Sequence, residues 1–120
     1  MNLPFQIDLS GKAAVVTGAG GVLCSVFCKA LAACGASVAL LNRSMASAQA
    51  CADEIAAAGG RPGPTRLMLD KAGLEEAHRQ ISGSRPCDIL INGAGGNHPG
   101  ATTARSIILT GTWAGPADLL

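Results

Sequence analysis

A short glycine-rich segment, TGAGG at 17–21, constrains the fold more than any other part of the chain. The run before it, Ala13–Val16, is continuous and apolar, as strands buried on both faces are. After it, apolar residues recur at the spacing of one helical face. They are Val22, Leu23, Val26, Phe27, Ala30, Leu31 and Cys34. A strand, a glycine turn and a helix in this order indicate the start of a parallel α/β sheet.

The alternation of apolar runs and helical stretches continues along the chain. Gly35 stands where the first helix is expected to end, and Ser44 is a candidate N-cap for a second helix. That helix has the apolar face Ala48, Cys51, Ala52 and Ile55, and it is expected to end at Gly59 and Gly60. The pattern further predicts a second strand at Val38–Leu41, a turn at Arg61–Pro64, a third strand at Arg66–Leu69, a helix carrying Leu74, Ala77 and Ile81, and a fourth strand at Asp88–Ile91.

Apart from the charged residues Arg66 and Asp88 that begin two of them, the four predicted strands are continuous apolar runs, so we expect each to be buried on both faces of the sheet. The predicted fold is a Rossmann-like three-layer α/β/α arrangement with a parallel sheet of order 3-2-1-4, truncated to half of the full architecture. At 120 residues the chain is one domain at most. We expect residues 1–96 to form a nucleotide-binding half-domain and residues 97–120 an irregular tail, a candidate remnant of the following helix.

Composition excludes several classes of partner. The net charge of +1 offers no basic surface for nucleic acid, and no apolar stretch approaches the ~20 residues of a membrane span. The beginning of the chain lacks the basic flank and apolar run of a secretory signal. The five cysteines are interpreted as buried thiols in a reducing compartment, which favours the cytoplasm. Cys24 and Cys28 share a helix face without a nearby His, Asp or Glu, so no metal site is predicted.

The glycine turn fits the needs of a diphosphate. Such a ligand requires backbone N–H groups and the partial positive charge of a helix N-terminus. Gly18, Gly20 and Gly21 let the backbone approach without a Cβ, and Val22 and Leu23 begin the helix. The strand before the turn and the helix after it distinguish a nucleotide-binding turn from a chance cluster of glycines. The alternative is a strand-to-helix turn that binds no ligand.

The end of the second strand bears on the choice of cofactor. An acid there would hold the ribose hydroxyls and repel a 2′-phosphate. This chain has Asn42 and Arg43 instead. An asparagine can bond to a hydroxyl, and an arginine can pair with a phosphate. Either NAD or NADP is therefore a candidate, and an ordinary turn after the strand is the alternative.

Two motifs carry a resemblance to a known family. Residues 17–24 resemble the T-G-x-x-x-G-x-G turn of short-chain dehydrogenases/reductases, where Thr17 and Gly18 match while Val22 and Cys24 stand in place of glycines. Residues 92–95 resemble that family's N-N-A-G motif after the fourth strand. They are Asn92, Gly93, Ala94 and Gly95, with Gly93 as the single difference. The likeness covers about residues 8–100.

The resemblance implies an NAD(P)-dependent oxidoreductase that transfers a hydride to or from a sugar acid or another alcohol or carbonyl. It also implies that Asp70 contacts the adenine amino group, although Asp70 could instead cap the next helix. The stretch INGAGGNHPGATT and the letters VLC at 22–24 are similar to bacterial members described as D-mannonate oxidoreductases, which reduce fructuronate with a nicotinamide cofactor.

The residues that the family uses for proton transfer are absent from this sequence. Members use a tyrosine and a lysine four residues later, but this chain has no tyrosine and its last lysine is Lys71. The segment Ile107–Thr112 has the ending of the family's L-x-G-T motif, with Ile108 in place of an asparagine. No catalytic residue is predicted. The alternatives to a cofactor-binding half of an enzyme are a non-catalytic nucleotide-binding module and a truncated inactive product. Oligomers would require the missing helices.

Overall fold

The structure is a computed structural model that describes residues 4–67, 71–83 and 85–95. Strands and helices alternate along these residues. They are β1 (Ala13–Thr17), α1 (Val22–Ala33), β2 (Ser37–Asn42), α2 (Met45–Ala57), β3 (Arg61–Leu67), α3 (Lys71–Ser82) and β4 (Ile89–Asn92). All of the strand pairings are parallel, and the strand order is β3-β2-β1-β4. The predicted sheet order is confirmed.

The register of the sheet brings three strand ends together. Thr17, the last residue of β1, lies opposite Leu41 of β2 on one side and Asn92 of β4 on the other. The carboxyl ends of β1, β2 and β4 are therefore level with one another. In open α/β sheets this edge is where ligands bind.

Helices cover both faces of the sheet, which confirms the three layers. On one face, α1 and α2 pack over β1 and β2, and the largest side chains of this cluster with almost no exposure are Leu40, Ile55, Val16 and Val38. On the other face, Ala77 and Ile81 of α3 pack against alternate residues of the same two strands. Since β1 and β2 are covered on both faces, they form the centre of the molecule.

The buried face of α1 differs from the prediction. Cys24, Cys28 and Ala32 are the residues of this helix that lie buried. On the predicted face, Val22 is 91% exposed and Leu23 is 64% exposed. Short side chains let a helix lie close to a sheet, so the face that carries them turns inward although larger apolar residues lie beside it.

The turn predicted at Arg61–Pro64 is wrong, because these residues form the beginning of β3. In the described sheet β3 is an edge strand, and a proline there loses no ladder hydrogen bond when its nitrogen points away from the neighbour. The register shifts between Val38 and Leu40. At this irregularity a Cβ on Gly63 would lie 3.0 Å from the Val38 carbonyl oxygen, so the two backbones approach closely.

The prediction that β4 is buried on both faces is also wrong. Its residues alternate between half-buried and exposed, and Leu90 is 58% exposed. In the described part of the chain β4 pairs with β1 alone, and α3 lies over the opposite half of the sheet. One face of β4 is therefore open.

The helix ends follow the predicted signals. Ser44 is the N-cap of α2, and its hydroxyl accepts a hydrogen bond from the Ser47 N–H. Gly35 and Gly59 follow the last residues of α1 and α2 with φ of +95° and +81°, the conformation that ends many helices. None of the helices in the described residues combines the length and the hydropathy that a membrane span requires. The tail predicted at 97–120 lies outside the described residues.

Candidate nucleotide-binding site

The two glycine segments of the sequence lie against each other at the carboxyl edge of the sheet. Gly18 has φ of +70°, in the left-handed region that favours glycine. A Cβ at this position would lie 2.6 Å from the carbonyl oxygen of Gly93 and 3.1 Å from the nitrogen of Ala94. Both the backbone conformation and the close approach of the second segment therefore require glycine at 18.

Thr17 joins the two segments, a function that the sequence analysis missed. Its hydroxyl oxygen accepts hydrogen bonds from the Gly93 N–H at 3.0 Å and the Ala94 N–H at 3.1 Å. Thr17 is only 9% exposed, so its hydroxyl acts as an internal partner for backbone groups that leave the sheet. The one signal for this contact in the sequence was the threonine that precedes Gly18 in the first motif.

The N-terminus of α1 opens onto the same edge. Gly21 is its N-cap and has no side chain to occupy the free N–H groups of the first turn. The Gly21 N–H donates to the Gly18 carbonyl at 3.0 Å, and the Ser25 N–H donates to the Gly21 carbonyl at 2.9 Å. Between these two bonds lie the N–H groups of residues 22–24, at the positive end of the helix dipole. An uncapped helix start of this kind suits an anion.

Gly20 makes room for the end of β2. A Cβ on Gly20 would lie 2.3 Å from Nδ2 of Asn42 and 2.4 Å from Oγ of Ser47. That Nδ2 donates to the Ser47 hydroxyl at 2.7 Å and to the Ser44 carbonyl at 3.1 Å. Asn42 is thus fixed against the glycine turn by hydrogen bonds to the N-cap and first turn of α2.

A cleft of about 520 Å³ lies between these elements. Seven of the predicted residues line it: Gly18, Gly21, Asn42, Arg43, Gly93, Ala94 and Gly95. Of the other predicted residues, Gly20 lies behind the cleft against Ser47, Val22 and Leu23 lie exposed on α1, and Asn92 ends β4. Asp70 lies outside the described residues. The lining is mainly backbone with one cationic side chain, which suits a phosphorylated ligand.

Three thiols belong to the core cluster between the sheet and the helices α1 and α2. Cys24, Cys28 and Cys51 are buried as predicted, whereas Cys34 is half-buried and Cys87 is exposed, which corrects the prediction for these two. Burial raises the pKa of Cys28 to about 12, with Cys51 as the next cause. Burial also raises the pKa of Cys51. The thiols of Cys28 and Cys51 therefore stay protonated and act as small apolar groups.

The chain matches the family model of short chain dehydrogenases over residues 12–108. The chain belongs to the short-chain dehydrogenase family. This match spans both glycine segments and all four strands, so the family resemblance inferred from the two motifs is confirmed.

Relatives and solved structures give the same result. The chain is 48% identical over 103 residues to UxuB, an uncharacterised oxidoreductase of Bacillus subtilis, covering 84% of this chain and 37% of the relative. It is 34% identical over 89 residues to L-xylulose reductase of Bos taurus, covering 74% of this chain and 34% of that enzyme. A Haemophilus structure assigned as a D-mannonate oxidoreductase with bound NAD superposes with a TM-score of 0.73 at 41% identity, over 82% of this chain and 36% of that one.

The cofactor differs among the solved structures. A metagenomic short-chain oxidoreductase in complex with NADP superposes with a TM-score of 0.68 at 31% identity, over 72% of this chain and 40% of that one. The chain spans little more than a third of the length of the curated relatives above. It corresponds to one part of a short-chain dehydrogenase.

Proposed function

We propose that this chain binds NAD or NADP in the cleft at the carboxyl edge of its sheet, as the cofactor-binding part of an oxidoreductase. Gly18, Gly20 and Gly21 with the first turn of α1 would hold the diphosphate. The segment Gly93–Gly95 would line the adenosine ribose. The proposal extends to this chain what the NAD-bound and NADP-bound relatives hold.

One observation carries the proposal. The backbone of Gly18 adopts a positive φ and contacts the Gly93–Ala94 backbone, so two distant segments form the walls of one cleft beside an uncapped helix start. A turn that served only to connect β1 to α1 would need neither the contact with the second segment nor an open helix end. The shape therefore supports a bound anion over a turn without a ligand.

The residues at the end of β2 support NADP as well as NAD. Asn42 and Arg43 line the cleft, and neither is an acid that would repel a 2′-phosphate. Asn42 is held by Ser44 and Ser47, whereas Arg43 carries a charge that can pair with phosphate. We propose that the site accepts both cofactors and that Arg43 contributes the difference in affinity between NADP and NAD.

A bound nicotinamide cofactor supplies a hydride, and this chain supplies the groups that hold the cofactor. Because the sequence contains no tyrosine, the proton-transfer residue of the family has no counterpart within these 120 residues. For the protein of which the chain forms the cofactor-binding part, we propose oxidation or reduction of a sugar acid or another alcohol or carbonyl. A non-catalytic nucleotide-binding module remains the second proposal. Free thiols at all five cysteines support a cytoplasmic location.

Titration calorimetry of the full chain with NAD⁺, NADH, NADP⁺ and NADPH tests the proposal. We expect saturable binding of at least one of them, and we expect Gly18→Ala to weaken it by about tenfold or more because the added Cβ displaces the Gly93 carbonyl. Gly59→Ala is the matched control. Gly59 has nearly the same positive φ, but a Cβ there meets nothing within 4 Å.

The control separates two effects of the substitution. In both variants the alanine is strained by the positive φ, which lowers the free energy of unfolding by about 1–2 kcal/mol. Only Gly18→Ala also changes the cleft. Unchanged affinity in Gly59→Ala together with lost affinity in Gly18→Ala supports the site. Equal affinity in both variants, or no binding by the folded wild-type chain, contradicts it.

A further inference from the structure

The sulfur of Cys24, the third residue of α1, lies where a side chain on Gly93, the first residue after β4, would have to lie. Cys24 is 7% exposed and belongs to the core cluster under α1. A Cβ built on Gly93 would lie 2.0 Å from the Cys24 sulfur, a separation that real Cβ atoms do not show. With Cys24 in this position, any residue other than glycine at 93 must displace the thiol or the backbone. The reverse also holds, since the thiol occupies the space that a side chain at 93 would need.

Both positions depart from the motifs that the chain otherwise resembles. Cys24 stands where the first motif has its last glycine, and Gly93 stands where the second has an asparagine. Two departures that are 69 positions apart in sequence thus meet in a single contact. A larger residue on the helix faces a smaller one on the loop, so each departure compensates for the other in volume.

The contact lies directly behind the proposed cofactor site. Cys24 belongs to the first turn of α1, whose N-cap Gly21 lines the cleft, and Gly93 is also part of the cleft lining. Thr17 holds the Gly93 and Ala94 N–H groups on the same side. Any movement of the helix start away from residue 93 therefore alters the separation between the two walls of the cleft.

We propose that Cys24 and Gly93 form a matched pair that positions the start of α1 against the Gly93–Gly95 segment, and so sets the width of the dinucleotide cleft. Cys24 is a positioning residue that acts through packing and not through its thiol chemistry. The part of this proposal that concerns cofactor affinity rests on the proposed function. The packing part does not.

A double-mutant cycle on the full chain tests the pair, using Gly93→Ala, Cys24→Ala and the double variant. The alanine at 24 keeps the Cβ of the cysteine, which lies 3.6 Å from the Cβ built on residue 93, an ordinary contact. The carbonyl of Thr17 lies 3.0 Å from that Cβ, so the rescue is expected to be incomplete. We expect Gly93→Ala to raise the unfolding equilibrium constant about tenfold in the wild-type background and only about threefold in the Cys24→Ala background.

Cofactor affinity of folded protein is the second readout. We expect Gly93→Ala to weaken dinucleotide binding about tenfold, and the double variant to bind within about threefold of Cys24→Ala. The conservative variant Cys24→Ser keeps the size of the cysteine, so Gly93→Ala should be as harmful in that background as in the wild type. Gly95→Ala is the control for unfolding, since a Cβ there meets nothing within 4 Å and should show no coupling to position 24.

The outcomes distinguish the two proposals. If Gly93→Ala alone fails to fold while the double variant folds, the pair is supported by rescue. If the effects of Cys24→Ala and Gly93→Ala on the free energy of unfolding are additive, the packing pair is overturned, whatever the cofactor affinities are. If the wild-type chain binds no dinucleotide but the unfolding cycle shows coupling, the proposed function fails and the packing pair stands. Coupling in unfolding with equal affinities across the cycle overturns the positioning role of Cys24.

Discussion

At the scale of single residues, Thr17 joins the two glycine segments that line the cleft. Its hydroxyl accepts two backbone N–H groups from the segment after β4, while its backbone lies between β2 and β4. It thereby fixes the second glycine segment relative to the first. Because the two N–H groups have this one acceptor in common, loss of the hydroxyl leaves both of them without their partner.

We predict that Thr17→Val lowers the free energy of unfolding by about 1–3 kcal/mol, since two N–H groups lose their acceptor in a nearly buried place. Thr17→Ser keeps the hydroxyl and should lose less than half of that amount. Denaturant titrations of the three proteins measure the difference. Equal stability of the valine and serine variants would show that the hydroxyl contributes nothing.

Arg43 is the one cationic side chain among the residues that line the described cleft. We predict that Arg43→Ala weakens NADP⁺ binding about tenfold and NAD⁺ binding by less than about twofold, because only the former has a 2′-phosphate to pair with. Competition titrations at fixed ionic strength give the ratio of the two dissociation constants. A variant in which both constants change by the same factor would contradict a specific contact with the phosphate.

At the scale of elements, α1 shows why pattern alone did not identify the buried face. Its large apolar residues Val26 and Phe27 are exposed, whereas Cys24 and Cys28 are buried. Hydrophobic periodicity favours the larger residues, whereas close packing on the sheet favours the smaller ones. Each cysteine or alanine buries little apolar area. Their inward position follows from the short distance between the helix and the sheet, which cannot be inferred from the sequence.

The strands likewise divide into those that the sequence pattern predicts and those that it does not. The runs at β1 and β2 were predictable because both faces are covered, which makes them continuously apolar. The beginning of β3 was not, because Pro62 and Pro64 are tolerated only where a strand lies at an edge, and edge position follows from sheet order. In the site, the glycines could be identified from the sequence. The contacts of Thr17 with Gly93 and Ala94 could not, because they depend on the register between β1 and β4.

The buried thiols of α1 and α2 lead to a prediction on pH. Burial raises the pKa of Cys28 from 9.0 to about 12. Above pH 9 the unfolded chain releases this proton while the folded chain keeps it, so stability is complete below pH 9 and declines between pH 9 and 12. The decline from this group reaches at most about 1.4 kcal/mol per pH unit.

We therefore expect Cys28→Ala, though less stable at neutral pH, to lose stability more slowly than the wild type as the pH rises above 9. Urea titrations at successive pH values give the two slopes. Cys87→Ala is the control, because Cys87 is exposed and its replacement leaves the buried cluster intact. Parallel pH profiles for the wild type and Cys28→Ala would contradict the account of a thiol held neutral by burial.

At the scale of the whole molecule, the central strands are covered on both faces, whereas apolar side chains on β4 and α1 are exposed. The strands β1 and β2 lie between helices on both faces, whereas β4 has an exposed Leu90 and the outer face of α1 has an exposed Val22. The cleft lies at the carboxyl edge of the sheet. Among the described residues its lining consists of Asn42 at the end of β2 and of residues in the segments that follow β1, β2 and β4.

The molecule also has a second cavity, which provides an internal comparison for the site. This groove of about 420 Å³ lies at the opposite end of α1 and α2, beside Lys29, Glu54 and Gly60. Lys29 and Glu54 form an ion pair there, so the cation of this groove is already partnered within the protein. A dinucleotide is expected at the carboxyl edge and not in this groove.

Amide chemical shifts of the full chain during titration with the dinucleotide test the central claim most directly. The account predicts that the amides of Gly18, Gly21, Gly93 and Gly95 shift together with one dissociation constant, while those of Lys29 and Gly60 stay unchanged. Shifts confined to the Lys29–Gly60 groove, or shifts at 18–21 without any at 93–95, would contradict a single cleft formed by the two glycine segments.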